Sequence, residues 1–256
     1  MNDQERKQEW LSEEKESFQG WDFSRLDGRM SVEELPWNYR EWVLKYLKPE
    51  DKMLDLGTGG GEFILSLGHP HTNTTVTEAW PPNIFLCQRK LEPLGINVVP
   101  VPAVHSCTGL PFADHSFDIV LNRNEEYNIR EVSRVLKPGG MFITQQVGGT
   151  NNAVLSTRFL PDYEATFPDF CLAGEISAFL DNGFEIIHQD EFYAVSEFFD
   201  VGAIVYFAKI IEWEFPGFSV EKHLDVLYDL QREITEKGSV ESREHRFIIA
   251  ARNKGE

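Results

Sequence analysis

Residues 53–62 read Met-Leu-Asp-Leu-Gly-Thr-Gly-Gly-Gly-Glu, an apolar run, a glycine turn and the start of a new segment. Glycine serves where backbone must turn sharply and approach a ligand more closely than a Cβ allows. In open α/β sheets ligands bind outside the carboxyl ends of the strands, and N–H groups opening a helix there suit a nucleoside-type ligand. The G-x-G-x-x-G pattern of dinucleotide sites does not fit, because counting from Gly57 its third glycine falls on Glu62. A carboxylate in the first helical turn also occupies the positive helix end that a pyrophosphate would need. The spacing therefore predicts a ligand without phosphates. Glu78 follows roughly 20 residues downstream, the distance at which a carboxylate takes both hydroxyls of a ribose.

A second polar cluster is Asn122-Arg123-Asn124-Glu125-Glu126-Tyr127. Glu125 has the right type for a general base and Arg123 for holding an anion. The competing reading places Glu125 and Glu126 at a helix N-terminus, where the helix dipole favours carboxylates. A third group, Phe198, Phe199, Tyr206, Phe207, Trp213 and Phe215, falls between the last two expected strands. Most of these aromatics read as core, with Trp213 and Glu214 beside Pro216-Gly217 expected to line a pocket. The histidines and cysteines, including His69, His71, His105 and Cys107, show no metal-ligand spacing, so no metal is expected. Neither a Gly-x-Ser-x-Gly elbow nor a P-loop is present.

The elements that must position these groups alternate. Strands are expected at Lys52–Leu56, Thr74–Glu78, Asn97–Val101, Phe117–Leu121 and Met141–Val147. Helices are expected at Trp37–Leu47, Glu62–Leu67, Asn83–Leu94 and Glu125–Leu136, the last stopped by Lys137-Pro138-Gly139-Gly140. Such alternation argues for a parallel sheet covered on both faces. Farther on, Ala173–Asn182 and Val220–Glu236 read as helices, and Phe184–Gln189 and Arg246–Ala251 as strands. The apolar run Phe198–Ile211 fits either element.

Composition narrows the partners. The chain has 24 basic and 42 acidic residues, a net charge of −18, whereas nucleic-acid affinity draws on clustered Lys and Arg. Nucleic acid and anionic membrane surfaces are therefore disfavoured. No apolar run reaches membrane-spanning length, and the charged N-terminus lacks the apolar region of a signal peptide. Three widely spaced cysteines fit a cytoplasmic location.

Three motifs, Asp55-Leu-Gly-Thr-Gly-Gly-Gly with Glu78, Leu110-Pro-Phe-Ala-Asp-His-Ser-Phe-Asp118, and Glu131-Val-Ser-Arg-Val-Leu-Lys-Pro-Gly-Gly140, occur in that order. With them the stretch Met53–Val147 resembles class I S-adenosylmethionine-dependent methyltransferases, particularly the broad type 11 small-molecule group. The lead-in pieces Gly20-Trp-Asp-Phe-Ser24 and Glu34-Leu-Pro-Trp-Asn-Tyr39 also look like those of a branch of this superfamily. The resemblance implies an α/β Rossmann-like methyltransferase fold, a mostly parallel seven-stranded sheet with helices on both faces. Residues 1–50 would form a helical lead-in covering the site, and 51–256 the methyltransferase domain, with a lid insertion near 197–240.

By the same resemblance, Asp55, Gly57, Thr58 and Gly59 cradle the methionine part of S-adenosyl-L-methionine, Glu78 holds the ribose, and Ala79 and Trp80 lie near the adenine. Family members usually carry an acid before the Leu-Pro-Phe element. Here Ser106-Cys107 stands in that place, and the Ser106 hydroxyl or a backbone carbonyl there is the expected substitute contact to the adenine. Asn122 and Arg123 fall where cofactor and acceptor meet, and Trp37, Tyr39, Arg123 and Trp213 are the expected acceptor contacts. The implied activity is methyl transfer to a small polar molecule. One alternative is an RNA methyltransferase, which needs a basic cleft. RNA guanine methyltransferases with the same middle motifs carry an N-terminal cysteine-rich zinc module, and this chain has no cysteine before Cys87. The other alternative is a cofactor-binding protein without catalysis.

Overall fold

The computed structural model describes residues 2–18, 23–101 and 109–255. Its elements begin with α1 (Asp3–Glu14), β1 (Met30–Val32), α2 (Tyr39–Tyr46), β2 (Met53–Leu56), α3 (Glu62–Ser66) and β3 (Thr74–Glu78). They continue with α4 (Pro81–Leu91), β4 (Asn97–Pro100), β5 (Phe117–Arg123), α5 (Ile129–Val135) and β6 (Leu136–Val147). The last are α6 (Ala153–Phe159), α7 (Leu172–Asp181), β7 (Phe184–Phe198), α8 (Val201–Ile210), α9 (Leu224–Lys237) and β8 (Val240–Asn253).

The hydrogen-bonded strand order is β1-β7-β8-β6-β5-β2-β3-β4. β2 runs parallel to β3 and β5, β3 to β4, and β5 to β6, the arrangement of a Rossmann-like α/β fold. The sheet has eight strands rather than the expected seven. The addition is β1, a three-residue strand antiparallel to β7, with no buried residue. A segment so short, with no buried face, carries no periodic signal. The chain leaves β2 toward β3 and β4 on one side and later returns to β5 and β6 on the other. Ligands of such sheets bind where that reversal opens a crevice, and the glycine loop follows β2.

The chain divides into two compact units, residues 36–147, 170–191 and 247–256 in one and residues 1–35, 148–169 and 192–246 in the other. In the first, Met53, Leu54, Val120 and Leu121 are fully buried, as expected for parallel strands covered on both faces. The rings of Phe142, Phe179 and Phe184 lie 5.3–6.3 Å apart and anchor α7 to the sheet. Two boundaries differ from expectation here. The helix expected from Glu125 begins at Ile129, because Asn128 caps it, its side chain accepting from the Arg130 and Glu131 N–H groups. The strand expected from Met141 begins at Leu136, because Leu136 already pairs with Phe117 and a register irregularity, with Gly139 at φ +82°, takes up Lys137–Gly140 before pairing resumes at Met141.

In the second unit, the ambiguous run Phe198–Ile211 resolves as α8. The Asp200 side chain accepts from Ala203 N at 2.8 Å, a cap that fixes the helix start. Val201 through Ala208 are all buried, so this helix is apolar all round because its neighbours surround it. Trp10, Leu227, Leu230 and Phe215 belong to the same cluster. β7 and β8 run to 15 and 14 residues, well beyond the apolar stretches that announced them. Their extensions carry buried polar residues such as Ser196, Ser242 and His245, which hydropathy alone assigns to the surface.

Candidate functional site

The loop after β2 is held by its backbone N–H groups, which donate to side-chain and carbonyl oxygens of β3. Gly57 N donates to Thr77 Oγ1 at 3.3 Å, Thr58 N to Thr77 O at 3.0 Å, and Gly59 N to Glu78 Oε2 at 2.9 Å. Gly57 and Gly59 sit at φ +69° and +61°, left-handed backbone that favours glycine. Their surroundings differ. A Cβ on Gly57 would fall 2.3 Å from Glu125 Cγ, whereas one on Gly59 would meet nothing within 4 Å. The loop thus packs against Glu125 on one side and opens onto free space at Gly59.

Glu78 is buried, and its carboxylate organises the turn into α4. Oε1 accepts from Ala79 N at 2.8 Å and Trp80 N at 3.0 Å. Oε2 accepts from Gly59 N and, over a longer 3.4 Å, from Asn83 Nδ2. At the end of β2, Asp55 is only 5% exposed. Burial pushes its carboxyl up to about 7, Glu78 adding to the rise and Arg123 opposing it.

The second wall comes from β5, β6 and α2. Asn122 is fully buried; its Oδ1 accepts from Thr144 Oγ1 at 3.2 Å and Gln146 Nε2 at 2.5 Å, while its Nδ2 has no partner. The Tyr39 hydroxyl lies 3.1 Å from both Asn122 O and Ile143 O, and Trp37 Nε1 donates to Gln145 Oε1 at 2.8 Å. Arg123, at the exposed end of β5, has its guanidinium 4.7 Å from the Phe63 ring centroid, and Phe63 in turn packs 5.3 Å from Tyr39. Asn124 then adopts φ +59° and turns the chain so that Glu125 faces the glycine loop. Burial, reinforced by Glu78 and Glu126, pushes Glu125 up to about 7.

These contacts unite Asp55, Gly57, Thr58, Gly59, Glu78, Ala79, Asn122, Arg123, Glu125, Trp37 and Tyr39 in one compact unit. The helix-dipole reading of Glu125 and Glu126 does not hold, because both precede the Asn128 cap. Trp213 belongs to the other unit, where it is 55% exposed. Glu214, expected to line a pocket, is buried and accepts from Asn151 Nδ2 and Asn152 Nδ2 at 2.7 and 2.8 Å. Ser106 and residues 20–22 of the lead-in lie outside the described residues. Sequence reasoning missed Phe63, Thr77, Gln145 and Gln146. The Gln-Gln pair closing an apolar strand was the one available signal, because amides there must find partners.

Residues 54–144 match the methyltransferase domain family. The fold is shared with the YcgJ protein of Bacillus subtilis, at a TM-score of 0.55, 17% identity, 85% of this chain and 99% of that one. It is shared also with an S-adenosylmethionine-dependent methyltransferase of Methanosarcina mazei, at 0.50, 18%, 88% and 100%. The family match, set within the Rossmann-like fold, identifies a methyltransferase domain in this chain. Among curated relatives, a ribosomal RNA small subunit methyltransferase G of Chlorobium phaeobacteroides is 33% identical over 46% of this chain and 54% of its own length. A demethylmenaquinone methyltransferase of Thermus thermophilus is 33% identical over 43% of this chain and 53% of its own. The chain thus spans about half the length of these two relatives.

The two raised carboxyls in this methyltransferase fold have a consequence for stability. Asp55 and Glu125 titrate near 7 when folded and near 4 when unfolded. Their protonated forms therefore favour the folded chain, fully so below about pH 4. That contribution is lost as pH rises through about 7, on the order of 3 kcal/mol for each group. Urea unfolding of the ligand-free chain and of Asp55→Asn between pH 5 and 8 measures it. The parent loses stability relative to the variant as pH rises; parallel curves would show that Asp55 ionises freely.

Proposed function

We propose that this methyltransferase-family chain transfers the methyl group of S-adenosyl-L-methionine to a small polar acceptor. The observation that carries the reading is the pairing of open space at Gly59 with Glu78 at the adjoining strand end. Asp55, Gly57, Thr58 and Gly59 would hold the methionine part, Glu78 the ribose, and Ala79 the adenine side. The unpartnered Nδ2 of buried Asn122 supplies a further donor at the methionine end. The bound cofactor supplies an already activated methyl group, so the residues mainly bind and align the acceptor.

Arg123 and Phe63 then present a cation beside a ring, suited to an acceptor with an anionic end. Trp37 and Tyr39 complete that wall. Glu125 is the group placed to take the acceptor's proton, since a base works best with a pKa near the working pH. A small molecule, in place of a nucleic acid, suits the net charge of −18, and the demethylmenaquinone named for one relative is itself a small molecule. RNA, named for another, would need a positive groove. The free Cys87 and Cys171 suit a cytoplasmic setting.

Calorimetric titration with S-adenosylmethionine and S-adenosylhomocysteine, followed by an assay of S-adenosylhomocysteine formation over small acceptors, tests the proposal. Both ligands bind, and turnover appears with an acceptor bearing an acidic group. Glu125→Gln lowers kcat by about 10²–10⁴ and leaves product affinity within a few-fold. Arg123→Gln raises KM for that acceptor about tenfold. Absence of binding defeats the reading, and binding without turnover for any acceptor favours the non-catalytic alternative.

A further inference from the structure

We propose that the inner face of α4 is a brace that sets the position of the glycine loop, with Cys87 as its central positioning residue. The inference rests on the reading that this loop receives the cofactor. Cys87 and Lys90 stand three apart on one helix face, where side chains are neighbours, and each reaches a different loop carbonyl. The Cys87 thiol donates to Gly59 O at 3.0 Å. The Lys90 ammonium donates to Gly60 O at 2.9 Å and also to Glu62 Oε1 at 2.5 Å. Leu91, next on the same face, leaves no room for a Cβ on Gly61, its Cδ1 lying 2.8 Å from that position.

The consequence is geometric. Gly59 is bonded on both sides, its N–H to Glu78 Oε2 and its carbonyl to Cys87. The residue whose missing side chain leaves the binding space open is therefore fixed between β3 and α4. Cys87 is fully buried, so its thiol hydrogen has no water to turn to and is committed to the Gly59 carbonyl. Burial, with the charges of Glu78 and Glu62, pushes the thiol up to about 12, which keeps the hydrogen in place. The sulfur acts on the cofactor only through the loop, as a positioning group.

Three substitutions in the full chain separate the brace from plain packing. Cys87→Ser keeps a donor, Cys87→Val keeps volume without one, and Lys90→Met removes the second anchor, with Cys87→Ala in reserve should the valine chain not fold. Two quantities are read: the Kd for S-adenosylhomocysteine, and hydrogen exchange at the 59–61 amides of the ligand-free chain. Valine and methionine each raise Kd about fivefold, the value of one lost hydrogen bond, and speed exchange at those amides. Serine leaves both within about twofold. Serine and valine behaving alike in both readouts overturns the brace. Should the parent bind no S-adenosylhomocysteine, the functional reading fails and exchange alone decides. Faster exchange in valine but not in serine then supports the brace, and equal exchange overturns it.

Discussion

Gly59→Arg leaves the chain folded and weakens its affinity for S-adenosylhomocysteine by more than about 100-fold. The two halves of that result come from one observation. At φ +61° a non-glycine residue costs roughly 1–2 kcal/mol, which for a chain of this size lowers Tm by only a few degrees, about 2–4 °C per kcal/mol. A Cβ there meets nothing within 4 Å, so the side chain leaves the backbone into open space and not into the core. The arginine instead fills the space assigned to the ligand. Gly57→Ala is the instructive contrast. Its Cβ would lie 2.3 Å from Glu125 Cγ, so it displaces Glu125 and costs stability first. Calorimetry with thermal unfolding on both variants reads the difference. A Gly59→Arg chain that keeps parental affinity would remove the glycine loop from the site.

Glu78→Ala has the second large effect, and it falls on binding and folding together. The carboxylate accepts from Gly59 N, Ala79 N, Trp80 N and Asn83 Nδ2, nearly its full acceptor capacity. Alanine leaves these donors without a partner, at about 1–3 kcal/mol for each one that stays buried. A ribose diol has to take over the place of the longest bond, that from Asn83 at 3.4 Å. Loss of two hydrogen bonds to a charged acceptor predicts a Kd about 100-fold higher or more. Glu78→Gln keeps an oxygen acceptor for the turn and loses the charge, so it folds better and binds about tenfold more weakly. The ribose contact is read from the 2′-deoxy analogue of S-adenosylhomocysteine: the parent discriminates against it and Glu78→Gln far less. Equal loss for both ligands in the variant would assign Glu78 to the turn alone.

Legibility in the sequence followed distance along the chain. The loop and Glu78 were readable because glycine spacing and the following strand end lie within one β-α-β stretch. Arg123 and Glu125 were readable as residue types, but not in their setting. Glu125 was placed on a helix because the run to Leu136 is helical in pattern, and a single left-handed residue, Asn124, turns it toward Gly57 instead. Tyr39 was assigned to the acceptor, and its hydroxyl also joins α2 to the carbonyls of Asn122 and Ile143, partners that no local pattern announces. Cys87 and Lys90 read as ordinary helix residues until α4 packs beneath the loop. Trp213 and Glu214, adjacent in sequence, part company. One is exposed, and the other is buried among asparagines.

The sequence by itself determined the fold class, the strand-loop-helix that forms the candidate cofactor loop and the rejection of a dinucleotide pattern, since these depend on backbone freedom and short spacing. Tertiary structure decided what the loop is worth chemically. The raised carboxyls of Asp55 and Glu125, the occupied oxygens of Glu78 and the thiol under Gly59 all arise from burial and from partners distant in the chain. Burial is a property of the packed chain, and no residue carries it alone.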